Sequence, residues 1–144
     1  MAKKEDRTTK LGSVGIRINE NSDAEIFVNF AMAVHYLTGL PVTMRSKNKL
    51  GVRIEKGTIL DTCYDGPMLR KALEKEEVVR EIPSTGMYKG VPIVVCPIWD
   101  GGGNVVAVIG MVDVVGTLDV GTLFLDYADV LKQVSSYIGK DGKD

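Results

Sequence analysis

Residues 91–115 read VPIVVCPIW-DGGGN-VVAVIGMVDVV and carry the clearest structural signal in the chain. Two β-branched runs flank a link of Asp, Gly and Asn, residue types that favour turns. The pattern predicts an antiparallel hairpin with strands over 91–99 and 105–115. Both runs are apolar at odd and even positions alike, so the strands belong in the middle of a sheet or under a covering helix. Gly101-Gly102-Gly103 is no phosphate loop: no Lys-Ser/Thr follows it, and it joins two strands rather than a strand and a helix.

Outward from this hairpin, the N-terminal side supplies the rest of a sheet. Val42–Ser46 alternates Val42 and Met44 against Thr43 and Arg45, the pattern of a half-buried strand. Val52-Arg53-Ile54 and Thr58-Ile59-Leu60 flank Glu55-Lys56-Gly57 as a short hairpin. Asp65-Gly66-Pro67 opens a helix with Pro in its first turn and Met68, Leu69, Ala72 and Leu73 as its stripe; the charged run 74–77 ends it. Val78–Ile82 reads as a further strand.

Two helices bracket this core. The first spans 22–39, from a Ser22-Asp23 start to Gly39 and Pro41, with Ile26, Phe27, Phe30, Val34 and Leu37 as its main face. Val28, Ala31 and Met32 form a second apolar flank. The second helix, 123–138, aligns Leu123, Tyr127, Val130, Leu131, Val134, Tyr137 and Ile138, with Phe124 and Leu125 beyond that stripe. The predicted order is helix, three strands, helix, strand, hairpin, helix. The expected fold class is α+β, an antiparallel sheet of five or six strands with flanking helices. Residues 1–12 are expected as a tail, 13–139 as one domain with a short first strand near 13–18, and 140–144 as a polar end.

Composition narrows the functional classes. Eighteen basic against 19 acidic side chains leave a net charge of −1, without the basic excess of a nucleic-acid binder. No apolar run approaches the ~18 residues of a membrane span, and the charged residues 1–10 are no secretory signal, so a cytoplasmic location is expected. One His and two separated Cys, Cys63 and Cys96, supply neither a zinc site nor a CxxC motif. The sequence therefore implies no metal and no cofactor. Both thiols are expected buried and inert, and His35, on an apolar helix flank, is expected inside the protein. With no nucleophile and base converging, an enzyme is the weakest reading.

Three segments carry a family resemblance: LPVTMRSKNK at 40–49, GVRIEKG at 51–57 and YKGVP at 88–92. On these the chain resembles a family of short proteins from methanogenic archaea, the domain of unknown function numbered 2111, over residues 22–138. The resemblance imports no activity. The hairpin 89–113, with its Val-Pro opening, its DGGG turn and Val-Ile-Gly-Met-Val-Asp, also resembles the last hairpin of PAS and GAF sensory domains. That resemblance implies a PAS/GAF-like core binding a small molecule.

Arg45, Lys47, Lys49, Arg53 and Lys56 place five positive charges in twelve residues. The cluster is either a solvated loop or an anion site in which Arg45 and Lys47 share a side and Arg53 returns on the next strand. The helix start at Gly66–Pro67 would offer N–H groups to the same anion, although Asp65 would repel it. Tyr64, Tyr88 and Trp99 are candidate walls of a pocket or ordinary packing residues. Two functions follow from these residues. One is a module binding a small, possibly anionic metabolite through Arg45, Lys47, Arg53, Tyr64, Tyr88 and Trp99. The other is a homodimeric scaffold paired through helices 22–39 and 123–138.

Overall fold

A computed structural model describes residues 17–117 and 129–136. In chain order the elements are α1 (Ala24–Thr38), β1 (Val42–Ser46), β2 (Gly51–Glu55), β3 (Thr58–Tyr64), α2 (Pro67–Lys75), β4 (Val79–Glu81), β5 (Ile93–Trp99), β6 (Val105–Val112) and the short α3 (Val114–Thr117). Residues 129–136 are helical. The six strands form one antiparallel sheet in the order β3-β2-β1-β6-β5-β4. The fold is α+β, with the expected order of elements. Two compact units divide the chain, Met1–Val112 and Asp113–Asp144. The expected tails, most of the first strand and half of the 123–138 helix lie outside the described residues; Arg17 and Ile18 are not in a strand.

Prolines and register set where the central strands stop. Val42 pairs with Met111 and Ile93 pairs with Val112, and each follows directly on a proline, Pro41 or Pro92. Among the described residues the strand pairing of β6 ends at Val112. The expected continuation to Val115 is therefore wrong, and the chain turns helical at Val114 instead. For the same reason β5 begins at Ile93 rather than Val91. β4 is shorter than the expected 78–82 and pairs only with residues 93–95 of β5. At Pro97 the strand thus has one neighbour, a position where a residue without an N–H fits.

The turns follow their side chains. Asp100 Oδ1 accepts the N–H groups of Gly102 and Asn104, each at 2.9 Å, and closes the β5–β6 link. These bonds hold the Asp100 carboxyl below its ordinary range. The β2–β3 hairpin turns on Lys56 and Gly57, both at positive φ (51° and 71°), the primed geometry that matches strand twist.

Because side chains alternate along a strand, the register sorts the core into two faces. Val42, Met44, Val52, Ile54 and Ala107 lie on one face under α1. Val95, Ile93 and Val108 lie on the other, under Met68, Leu69 and Ala72 of α2. All five residues of β1 are buried, so it is not the half-exposed strand its alternation suggests. Cys63 also departs from expectation: it is exposed, pointing out of the edge strand β3 while Tyr64 points in.

The expected main face of α1 is largely wrong. Ala24, Phe27, Ala31 and His35 are buried, whereas Ile26, Phe30 and Leu37 are exposed. Small residues at 24 and 31 let the helix lie close on the sheet, and Phe27 fills the space between them. His35 is inside because both ring nitrogens are satisfied. Nδ1 lies 2.6 Å from the Leu40 carbonyl and Nε2 accepts the Gly57 N–H at 2.8 Å, a pattern met by the neutral ring protonated on Nδ1. The ring joins the C-terminus of α1 to the tip of the β2–β3 hairpin.

This assignment of faces makes opposite demands on two large residues. Phe27→Ala should cost about 3–5 kcal/mol of stability in urea unfolding. Leu37→Ala should change it by less than about 0.5 kcal/mol. Equal losses from both would contradict the face described here.

Candidate functional site

The face of the sheet carrying Thr43, Arg45 and Arg53 is covered by α2 over β4, β5 and β6, and a cleft opens beside that cover. Thr43 and Gly110, which pair across β1 and β6, lie at its floor. Leu69 and Pro67 of α2 form one wall, and Tyr64 closes the end of β3. The opposite wall is the loop from Pro83 to Gly90, contributing Thr85, Met87 and Tyr88.

That loop is closed on itself: the Gly90 N–H donates to the Pro83 carbonyl at 3.0 Å and the Lys89 N–H to the Gly86 carbonyl at 3.3 Å. Gly86 has φ +85°, and a Cβ there would lie 3.0 Å from Pro67 Cδ, so the loop seats against α2 only with glycine.

The space inside the cleft, with the open solvent at its mouth counted in, is about 410 Å³. The room left for water centres is only ≈ 20 Å³, enough for about one water. The cleft is shaped but shut.

Its rim carries a polar chain. Tyr88 Oη donates to Glu55 Oε1 at 2.6 Å, and Arg53 Nη1 lies 3.2 Å from the same oxygen. Burial, together with the carboxylate it donates to, pushes the Tyr88 hydroxyl far above its ordinary value. Burial also raises Tyr64, partly offset by the Arg53 charge. Burial works against the Arg53 charge, but Tyr88 and Glu55 more than compensate. Arg53 Nε is buried with no hydrogen-bond partner.

A second ion pair lies at the start of α2. Arg45 is buried, with Nη1 2.7 Å from Asp65 Oδ1, Nε donating to the Ser46 carbonyl at 2.9 Å and Nη2 to the Lys47 carbonyl at 3.2 Å. Arg70 Nη1 reaches Asp65 Oδ2 at 2.6 Å. Burial alone would raise the Asp65 carboxyl. The hydrogen bonds and charge of Arg45 and Arg70 outweigh it and hold the group below its ordinary range.

The six candidate residues therefore divide. Tyr64 and Tyr88 meet in the cleft, and Arg53 joins them through Glu55. Arg45 and Lys47 line a separate shallow groove with Arg70, Glu74 and Glu76. Trp99, half-exposed at the end of β5, lines neither. Sequence reasoning missed Glu55 and Asp65 as partners. Glu55 was accessible to it, since position i+2 from Arg53 on a strand shares its face; Asp65 reaches Arg45 only through the tertiary fold.

Residues 34–115 match the family described as "Uncharacterized protein conserved in archaea (DUF2111)". The chain belongs to this family. The match is narrower than the 22–138 expected but includes all three segments that carry the resemblance. A relative in Methanocaldococcus jannaschii, the uncharacterized protein MJ0405, is 54% identical over 100 residues, covering 69% of this chain and 76% of its own. No solved structure matches the chain. Among the described residues, no helix is long and apolar enough to cross a membrane.

The Asp65 shift has a definite pH consequence. Its carboxyl is lower in the folded protein, so between the two values the unfolded chain binds more protons and stability rises with pH. The contribution is complete above the unfolded value of ~3.9 and is lost as pH falls through the folded one. Asp65→Asn should cost about 2–3 kcal/mol at pH 7, the worth of hydrogen bonds to a charged group. It should also flatten the acid limb of a stability-versus-pH curve below about pH 4. An unchanged acid limb would remove Asp65 from this role.

Proposed function

We propose that this domain is a PAS/GAF-like module that binds a small molecule in the cleft between α2, the sheet and loop 83–90. The observation that carries the reading is the cleft itself: concave, mostly apolar, with the Thr43, Tyr64 and Tyr88 hydroxyl-bearing residues converging on it. The central sheet, made of two meanders meeting at β1 and β6 with a helix on each face, supports the PAS/GAF likeness. Binding is favoured over catalysis because the described lining residues supply no nucleophile paired with a base. An anion of the kind the basic cluster suggests would have to displace Glu55 from Arg53 or Asp65 from Arg45.

A thermal-shift screen of small metabolites tests the module. A ligand at 100 times its dissociation constant adds about 2.7 kcal/mol of stability. A hit should lose its effect in Leu69→Trp, which fills the cleft. A hit that survives this substitution would place binding elsewhere.

A second reading, self-association, rests on α1. Ile26, Phe30, Ala33 and Leu37 recur at i, i+4, i+7 and i+11, directly opposite the buried face. Ile26, Phe30, Tyr36 and Leu37 are 39%, 51%, 71% and 85% exposed. From residue 26 to residue 38 the helix carries no acid, Lys or Arg, so a second copy of the same stripe meets it without charge conflict. At ~150–250 Å² for a large side chain, these four expose roughly 450 Å² per copy, over half of the ~800 Å² a standard interface buries on each partner. The stripe is not the flank of Val28, Ala31 and Met32 that the sequence suggested, since those residues are buried or half-buried. Light scattering at micromolar concentration should show a mass twice 15.7 kDa. Leu37→Glu should halve that mass; a monomeric wild type would end this reading.

A further inference from the structure

The lining and the rim of the cleft define which ligands it admits. Among the described residues that line it, none carries an Asp, Glu, Lys, Arg or His side chain. Two carboxylates near it are already matched within the protein: Glu55 with Arg53 and the Tyr88 hydroxyl, Asp65 with Arg45 and Arg70. An ion entering the cleft would lose its hydration and meet no countercharge, a cost that an uncharged molecule escapes. Thr43 and Tyr64 nevertheless leave polar atoms among the apolar walls, which suit one hydrogen-bonding group on an otherwise apolar body.

The cleft is also shut, with space for about one water. Three of its walls are regular structure: the sheet, α2 and the end of β3. The fourth is the 83–90 loop, whose Met87 is exposed and whose hydrogen bonds to Pro83 and Gly86 are its own. Tyr88 ties this loop to the sheet through Glu55 on β2. A molecule larger than water needs the loop to move, and the Tyr88–Glu55 bond is a side-chain hydrogen bond that holds it to the sheet.

Building on the binding-module reading, we propose that the cleft takes an uncharged molecule with an apolar body and one hydrogen-bonding group. Loop 83–90 is its lid, and the Tyr88–Glu55 hydrogen bond is the latch. Latch and pocket are coupled. The closed state holds Tyr88 against Glu55, the open state admits ligand, and apparent affinity scales with the open fraction.

Three probes of similar size and different charge separate the possibilities: benzyl alcohol, benzoate and benzylamine, titrated into ¹⁵N-labelled full-length protein. Benzyl alcohol should shift the amides of Thr43, Leu69 and Gly110 saturably, and both ions should bind there at least tenfold more weakly. Tyr88→Phe keeps the ring and removes the latch. It should raise the apparent affinity for benzyl alcohol about three- to tenfold and speed hydrogen exchange at residues 84–90, leaving α1 amides unchanged.

Benzoate or benzylamine binding these amides as tightly as benzyl alcohol overturns the uncharged class and leaves the module reading standing. Equal or weaker affinity in Tyr88→Phe overturns the latch. If no probe shifts the cleft amides in either protein, the cleft is not a binding site and the module reading fails with it.

Discussion

The pairing of β1 with β6 is the constraint on which the rest of the molecule depends. Every other pair in the sheet joins strands that follow one another in sequence. β1 and β6 alone join residues 42–46 to residues 107–111 and turn two three-stranded meanders into one sheet. The register also places Thr43 opposite Gly110, and so positions the floor of the cleft. A slip of one residue would exchange the faces, sending Val42 and Met44 away from α1 and Thr43 and Arg45 under it. The apolar demand of α1, met by Phe27 at the centre of its contact, holds the register against that slip.

The same register makes charge management necessary. Position 45 of the buried strand β1 and position 53 of β2 face the side that α2 leaves uncovered, and both are arginine. A guanidinium held at such depth needs a carboxylate, and each has one within 3.2 Å. Pairs of this kind add little net stability, because desolvation consumes much of the attraction. Losing one partner is expensive. Their effect here is on specificity of structure. Asp65 ties the strand β1 to the start of α2, and Glu55 ties β2 to the loop carrying Tyr88. The basic cluster that looks like an anion site in the sequence has its buried Arg45 and half-buried Arg53 paired, and its exposed lysines, Lys47, Lys49 and Lys56, remain in solvent.

Legibility in the sequence follows the range of the interaction responsible. The hairpin at 91–115, the Lys56–Gly57 turn and the Pro67 helix start rest on local chemistry, and their types were readable with ends misplaced by one to three residues. Those end errors share one cause: a strand stops where its neighbours stop, and residues 113–115 do not record that Pro41 and Pro92 lie alongside. The face of α1 failed for a different reason. Positions 27, 30, 34 and 37 and positions 24, 27, 31 and 35 both follow helical spacing, and size favours the first set. Close approach to the sheet favours the second, with its two alanines, and the two hydrogen bonds of His35 make a polar residue at home there. Of the site, Tyr64 and Tyr88 were legible as aromatic candidates, but their convergence across 24 residues of sequence was not.

Why the cleft should be shut rather than open follows from its lining. An open apolar hollow of this size would leave the tyrosine rings, Leu69 and Val95 in water, at a cost near 25 cal/mol for each Å² of apolar surface. Folding loop 83–90 over it removes that cost, and the loop's composition suits a reversible cover. It buries Pro83 and half-buries Tyr88 but leaves Thr85 and Met87 at the surface, so only part of the loop adds to the apolar area exposed when it lifts. The bond that holds it, from a hydroxyl to a carboxylate already neutralised by Arg53, breaks without stranding a lone charge, since Glu55 keeps its guanidinium. A latch to an unpaired Glu55 would have left a bare carboxylate each time the loop opened. Pairing Glu55 with Arg53 therefore makes the closed state stable and the open state accessible.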